Sequence, residues 1–308
     1  MSERPASQPR AHRTWSGGLK WIGRRILLPA ALVYAGLLGI LVYFETNLVY
    51  PGARGGNWEP QGTEFAIAEF QSGDGTRLVG WYLAPQSLAA DQRPQLAMLM
   101  HHGNGENITH LIDEAARFRD AHDIAVLIYD YRGFGRSEGM PAEAGVLADG
   151  EAAMEWLMER TDLPPDRVVQ FGRSLGGGVA VHVAAKYDAA GLILDRTFNS
   201  IVDVAAERYW MFPVRWIIRN RYPSQEKIAD YRGPLLQLHG DADEVIDLRF
   251  AKQLYEAAGS EEKTFVESPG TTHIDAWPPL FREATARFIE EIKDEGDAEV
   301  LSGYKPDA

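Results

Sequence analysis

The pattern of apolar and polar positions divides the chain near residue 26. From 26 to 44 it reads ILLPAALVYAGLLGILVYF, nineteen residues without a charge. A helix of that length reaches roughly 28 Å at about 1.5 Å per residue, close to the ~30 Å hydrocarbon core of a bilayer. Pro29 falls in the first turn, where a missing N–H does least harm, and Tyr43 lies near the end, where an aromatic ring anchors at an interface. The run predicts one transmembrane helix over 26–44. It is long for a signal peptide, and no small-residue cleavage site follows before Pro51. The residues around Arg24 and Arg25 match a twin-arginine signal poorly. The Gly- and Pro-rich stretch 45–62 reads as a linker.

Beyond the linker the rhythm changes. EFAIAEF (64–70) alternates as a half-buried strand does, Gly73-Asp74-Gly75 signals a hairpin, and RLVGWYLAP (77–85) returns. QLAMLMH (95–101) is a continuous apolar run, the mark of a strand covered on both faces. A helix over 106–121 follows, then a strand over 124–130, a helix over 144–160, a strand over 167–172 and a helix over 174–187. Strands at 191–195, 235–240 and 263–268 precede an amphipathic helix over 281–293. This alternation predicts an α/β fold: a mostly parallel, doubly wound eight-stranded sheet with an antiparallel N-terminal edge, in one domain over 63–294. Residues 196–231 interrupt the alternation with Trp210, Phe212, Pro213, Trp216 and Tyr222 among Arg215, Arg219 and Arg221. They form either a surface helix packed on the sheet or a small cap over its crevice. Residues 295–308 read as a disordered tail.

Charge and composition narrow the function. Ahead of the apolar run stand Arg4, Arg10, Arg13, Lys20, Arg24 and Arg25 against Glu3 alone. That excess predicts a cytoplasmic basic tail over 1–25 and a globular domain on the non-cytoplasmic side. The net charge of −13 argues against nucleic acid as a partner. With no cysteine, thiolate nucleophiles, disulfide frameworks and Cys-ligated zinc are excluded.

The chemistry centres on Gly172-Arg173-Ser174-Leu175-Gly176, a G-x-S-x-G pattern set between a predicted strand and a predicted helix. A sharp turn there lifts the Ser174 hydroxyl to a helix N-terminus, where developing negative charge is favoured. The acid and the base should follow in that order. Asp243 follows the 235–240 strand and His273 the 263–268 strand, each in a loop at a strand's C-terminal end. His273 is assigned as general base and Asp243 as its orienting partner. Asp241 is the nearest competitor for the acid and Asp195 a more distant one. The Leu175 N–H and the Asn104 N–H are the candidate oxyanion donors. His101 and His102 are neighbours on a strand and point to opposite faces, so they are not read as a metal site; His102 is expected to brace the loop. No metal or cofactor is implied. Asp130-Tyr131-Arg132-Gly133-Phe134-Gly135 lacks the Walker pattern, so nucleotide binding is not expected.

These motifs, in order, resemble the α/β-hydrolase superfamily. The likeness runs over about 60–293 through His102-Gly103-Asn104, Asp130–Gly139, Gly172–Gly177, His239-Gly240 with Asp243-Glu244-Val245, and His273. It is nearest to the membrane-anchored α/β-hydrolase domain-containing, serine aminopeptidase-like group. The resemblance implies a triad at Ser174, Asp243 and His273 and a structural loop at Asp130–Gly139. The family's loop commonly reads H-G-N-A-G-N, whereas this chain carries Glu106 at its fifth position. Glu106 either disfavours acidic substrates or points to solvent. The resulting expectation is a membrane-anchored serine hydrolase. It would cleave an ester, thioester or amide of a small-molecule acyl substrate with an apolar moiety, which the aromatic insertion suggests. The alternative, from another class, is a catalytically silent scaffold that binds a ligand or partner at the membrane.

Overall fold

The computed structural model describes residues 23–54, 63–89 and 92–303. The chain divides into an N-terminal unit ending at Glu45 and a second unit that begins at Thr46. In the first, one π-helical turn, Gly23–Leu27, leads into α1, Leu28–Val49. Together, from Arg24 to Val49, they form a 26-residue helix with mean hydropathy 2.3 and none of its most apolar window buried. Among the described residues it is the one helix long and apolar enough to cross a membrane. By length and composition it equally suits a signal sequence.

The helix outruns the apolar stretch by five residues, and the supposed linker begins inside the folded unit. Val49 and Tyr50 are buried, and a 3-10 turn follows at Pro51–Arg54. Residues 55–62, the remainder of that stretch, lie outside the described residues.

Eight strands form one sheet: β1 Ala66–Gln71, β2 Arg77–Leu83, β3 Ala97–His101, β4 Ala125–Asp130, β5 Val168–Arg173, β6 Gly191–Asp195, β7 Leu235–Gly240 and β8 Lys263–Ser268. Their spatial order is β1-β2-β4-β3-β5-β6-β7-β8. The β1–β2 and β2–β4 pairs are antiparallel and every other pair is parallel. The helices of this unit are α2 Ile108–His122, α3 Glu143–Thr161, α4 Leu175–Tyr187, α5 Ile201–Arg208, α6 Val214–Ile217, α7 Ser224–Ile228, α8 Leu248–Ala257 and α9 Pro279–Gly303.

Alternation along β3 separates the two faces of the core. Leu99 packs with Leu127, Tyr129, Met154, Leu157, Val179 and Val183 on the α3–α4 side. Met98 and Met100 pack with Ile128, Phe171, Leu111, Ala115, Phe281 and Ile289 on the α2–α9 side. Consecutive side chains leave a strand on opposite sides, so a two-sided core demands an unbroken apolar run.

Two elements depart from the sequence reading. Helix α8 lies between strands β7 and β8 where the sequence reading placed no helix, although its pattern is amphipathic: Asp247 caps it by accepting from the Arg249 N–H at 2.9 Å, and Phe250, Ala251 and Leu254 are buried. Helix α9 continues to Gly303, beyond the point at 294 where the amphipathic pattern ends, through residues without a proline to stop it. Residues 1–22 and 304–308 lie outside the described residues.

One buried ion pair locks the loop after β4. Asp149 on α3 is fully buried and accepts from the Arg132 N–H at 2.8 Å and from its Nη2 at 2.8 Å. The Arg132 Nη1 also donates to Asp74 at 2.8 Å, at the β1–β2 hairpin. Removing one partner of such a pair leaves the other charge uncompensated. Asp149→Ala is expected to lower the unfolding free energy by about 3 kcal/mol in urea titration. An unchanged midpoint would show that the pair contributes nothing net.

Candidate active site

The six parallel strands, β3 to β8, bring their C-terminal ends to one edge of the sheet, as α/β sheets do for their ligands. At the centre β5 ends on Arg173 and α4 begins at Leu175, leaving Ser174 to turn the chain between them. Ser174 has φ +51° and ψ −117°, a conformation L-residues rarely adopt. Close approach of the neighbours permits the turn. A Cβ on Gly176 would stand 2.1 Å from the His101 carbonyl oxygen, and one on Gly172 would stand 2.5 Å from the Gly176 oxygen. The turn is tied down by the Ser174 N–H donating to the Asp195 carbonyl at 2.9 Å and the Thr197 hydroxyl donating to the Ser174 carbonyl at 2.7 Å.

His273, in the loop after β8, reaches this serine. Its Nε2 lies 3.1 Å from Ser174 Oγ, and its Nδ1 lies 2.7 Å from Asp243 Oδ2. An ionised carboxylate only accepts, so Nδ1 carries the proton and Nε2 is left to accept from the serine hydroxyl. Asp243 is held in turn: its Oδ1 accepts from the Val245 N–H at 2.9 Å and the Ile246 N–H at 2.8 Å. Burial by itself would raise the Asp243 pKa. The hydrogen bond and charge of His273, with those two N–H groups, outweigh burial and lower it. The competing acids are engaged elsewhere. Asp241 accepts from the Gly270 N–H at 2.6 Å, and Asp195 is surrounded by Arg173, Arg196 and Trp277.

The candidate oxyanion donors come from the residue after Ser174 and from the loop after β3. Leu175 is the first residue of α4, where an N–H has no intrahelical acceptor. The 102–105 loop lies against the serine, since a Cβ on Gly103 would stand 3.5 Å from Ser174 Cβ. The Asn104 N–H makes no hydrogen bond to any described residue. Glu106 is half-buried and does not stand free. Its Oε2 accepts from the Gly103 N–H at 2.8 Å, and its Oε1 lies 3.5 Å from Arg173 Nη1. Beneath the loop, His102 Nδ1 lies 2.8 Å from the Gly103 carbonyl, and His101 is buried between Tyr129 and Gln170 at 2.9 Å each.

A cavity of about 980 Å³ contains Ser174 and His273. Its walls come from the 103–106 loop, α2, the 273–277 loop and the start of α9, including Phe118, Trp277, Arg117 and Arg282. The aromatic insertion contributes little to this cavity. Of residues 196–231 only Arg196 lines this cavity. The insertion's ends close onto α4 instead, where a Cβ on Gly178 would stand 2.9 Å from Tyr222 Cδ1 and 3.5 Å from Phe198 Cζ. Trp210 and Trp216 are 79% and 89% exposed.

Sequence reasoning missed the charged groups behind the serine. Arg173 Nε donates to Asp195 at 2.9 Å, its Nη2 meets Glu114, and Arg196 donates to both Asp195 oxygens at 2.8 and 3.0 Å. Burial would raise Asp195, but the two guanidinium charges and the Trp277 N–H outweigh it and hold the carboxyl well below its usual range. The one signal available was position: register places Arg173 opposite Asp195 at the ends of β5 and β6.

Comparison with known proteins identifies the family. The family model of serine aminopeptidase S33 matches residues 92–225. An α/β-hydrolase domain-containing protein of Arabidopsis thaliana, WAV2, is 31% identical over 291 residues, covering 86% of this chain and 93% of its own length. The chain belongs to the α/β-hydrolase superfamily. An uncharacterized Mycobacterium tuberculosis relative is 33% identical over 271 residues, 85% of this chain and 92% of that one. An esterase of Pyrococcus furiosus has the same fold at TM-score 0.61 and 17% identity, over 78% of this α/β-hydrolase and 96% of the esterase.

Asp130, at the end of β4, offers a test of the site's electrostatics. It is fully buried, 3.8 Å from His102 Nε2, and burial pushes it up to about 7 against the Ile108 N–H, which favours the anion. Burial also pushes His102 down to about 4. An acid whose folded value exceeds its unfolded one holds a proton that the unfolded chain releases. Its contribution to stability is complete below the ordinary aspartate value of 3.8 and is lost as pH rises to about 7. The melting temperature of wild type relative to Asp130→Asn should therefore fall between about pH 4 and 7. A difference independent of pH would contradict a proton shared between fold and solvent at this position.

Proposed function

We propose that this hydrolase is a membrane-anchored serine hydrolase acting on an ester, thioester or amide through an acyl-enzyme. The observation that carries this reading is the unbroken hydrogen-bonded chain from Ser174 Oγ through His273 to Asp243, at 3.1 and 2.7 Å. His273 removes the Ser174 proton as Oγ bonds to the substrate carbonyl carbon, and Asp243 stabilises the imidazolium. The carbonyl oxygen becomes an oxyanion and accepts from the Leu175 and Asn104 N–H groups. The imidazolium then gives its proton to the leaving group as the C–X bond breaks. Water repeats the sequence on the acyl-enzyme, with His273 again the base, and releases a carboxylic acid. An intact relay of this kind serves no purpose in a silent scaffold.

An apolar moiety in the substrate finds support in Phe118 and Trp277 on the cavity wall rather than in the aromatic insertion. Anchoring is supported by the exposed apolar helix Arg24–Val49, and a non-cytoplasmic domain by the basic residues that precede it. Alkaline phosphatase fused to the C-terminus should accordingly be active in a bacterial host; an inactive fusion would reverse the orientation. Ser174→Ala is expected to lower kcat on an activated acyl ester by on the order of 10⁶, and Asp243→Asn by about 10⁴. Ester hydrolysis that survives Ser174→Ala would exclude the covalent route.

A further inference from the structure

The segment that leaves the apolar helix is bonded to Asn104, whose N–H the serine-hydrolase reading assigns as an oxyanion donor. Tyr50 is 2% exposed, donates to Asn220 Oδ1 at 2.9 Å and shares a hydrogen bond with the Tyr222 hydroxyl at 2.9 Å. With Tyr50 fixed in this way, the residues on either side reach Asn104. Asn104 Nδ2 donates to the Val49 carbonyl at 3.1 Å, and the Gly52 N–H donates to the Asn104 carbonyl at 3.0 Å. The approach is too close for a side chain at position 52. A Cβ there would stand 2.8 Å from the Asn104 oxygen, 3.0 Å from Phe134 Cε1 and 3.1 Å from the Gly105 carbonyl carbon.

These contacts act on one peptide group. The N–H of Asn104 belongs to the peptide joining Gly103 and Asn104. The peptide before it is pinned by the Gly103 N–H donating to Glu106 at 2.8 Å. The peptide after it is pinned by the Gly52 N–H on the Asn104 carbonyl. The peptide between them is also held at its own oxygen: the Gly103 carbonyl accepts from the Glu106 N–H at 3.2 Å and lies 2.8 Å from His102 Nδ1. The loop is also confined laterally, between Gly52 on one side and Ser174 on the other.

We propose that Val49 and Gly52 are positioning residues of the active site: the junction after the apolar helix clamps Asn104 so that its N–H meets the developing oxyanion. The proposal rests on the serine-hydrolase reading above. It makes the exit of the apolar helix part of the catalytic geometry and not a passive tether. A displaced donor weakens binding of the tetrahedral state far more than binding of the substrate, so the clamp acts on kcat rather than KM.

The test uses the full chain in detergent micelles, with p-nitrophenyl butyrate as substrate and an alkyl trifluoromethyl ketone as probe. Addition of Ser174 Oγ to the ketone carbon turns its carbonyl oxygen into an alkoxide in the oxyanion position, with the proton on His273. Gly52→Ala should lower kcat about ten- to a hundredfold, leave KM within about twofold, and raise the Ki of the ketone by the same factor as kcat falls. Asn104→Ala keeps the backbone N–H but loses the bond to Val49, and should show the same split. The two act through one loop position, so the double variant should be no slower than the slower single variant. Should Gly52→Ala fail to fold, Asn104→Ala decides by the same readouts. Wild-type kcat and Ki in these variants, a change confined to KM, or effects that multiply in the double variant would each overturn the clamp. Wild-type protein that neither hydrolyses the ester nor reacts with a fluorophosphonate would instead overturn the hydrolase reading, before any variant is compared.

Discussion

The site depends on one buried carboxylate. Asp195 ends β6 with no exposed surface and collects Arg173, Arg196 and the Trp277 N–H. Arg173 immediately precedes the serine and extends to Glu106 in the 102–107 loop and to Glu114 on α2. Arg196 extends the other way, donating to the carbonyls of Thr272 at 3.2 Å and Asp275 at 2.7 Å on either side of His273. Ser174, the 102–107 loop and the His273 loop thus hang from a single anion. Buried ion networks contribute little net stability, but they penalise arrangements that leave a charge unpaired. Here that penalty works against any displacement of the His273 loop or of the 103–106 loop relative to Ser174.

The strained turn at Ser174 is possible because that network and the glycine contacts over-determine it. A residue at φ +51° costs on the order of 1–3 kcal/mol and persists only when its surroundings leave no alternative. Its carbonyl and N–H are both bonded, its neighbours Gly172 and Gly176 admit the loop backbone, and its hydroxyl is left to meet the imidazole. The cavity then opens beside α2 and α9, and Trp210 and Trp216 of the insertion do not line it.

Features written as local pattern were legible in the sequence. The continuous apolar run at 95–101 and the strand–helix alternation after it matched the sheet, and the order Ser174, Asp243, His273 followed the strand ends. Features made by distant pairing were not legible. Nothing near Asp195 announces that Trp277, eighty-two residues on, donates to it. Nothing in ETNLVYPG separates a solvated linker from a segment that buries Tyr50 against Asn220 and Tyr222. Glycine and proline there read as flexibility, whereas Gly52 is small because a carbonyl passes beside it. Composition likewise does not say which cavity the insertion's aromatic residues face.

The central claim is that converging segments turn the Ser174 hydroxyl into a nucleophile. It is tested most directly by treating the full chain with a fluorophosphonate and mapping the adduct by peptide mass spectrometry. One adduct on the peptide containing Ser174, formed at a rate that collapses in His273→Ala, is the predicted result. An unmodified Ser174, or labelling that proceeds equally well without the imidazole, would contradict it.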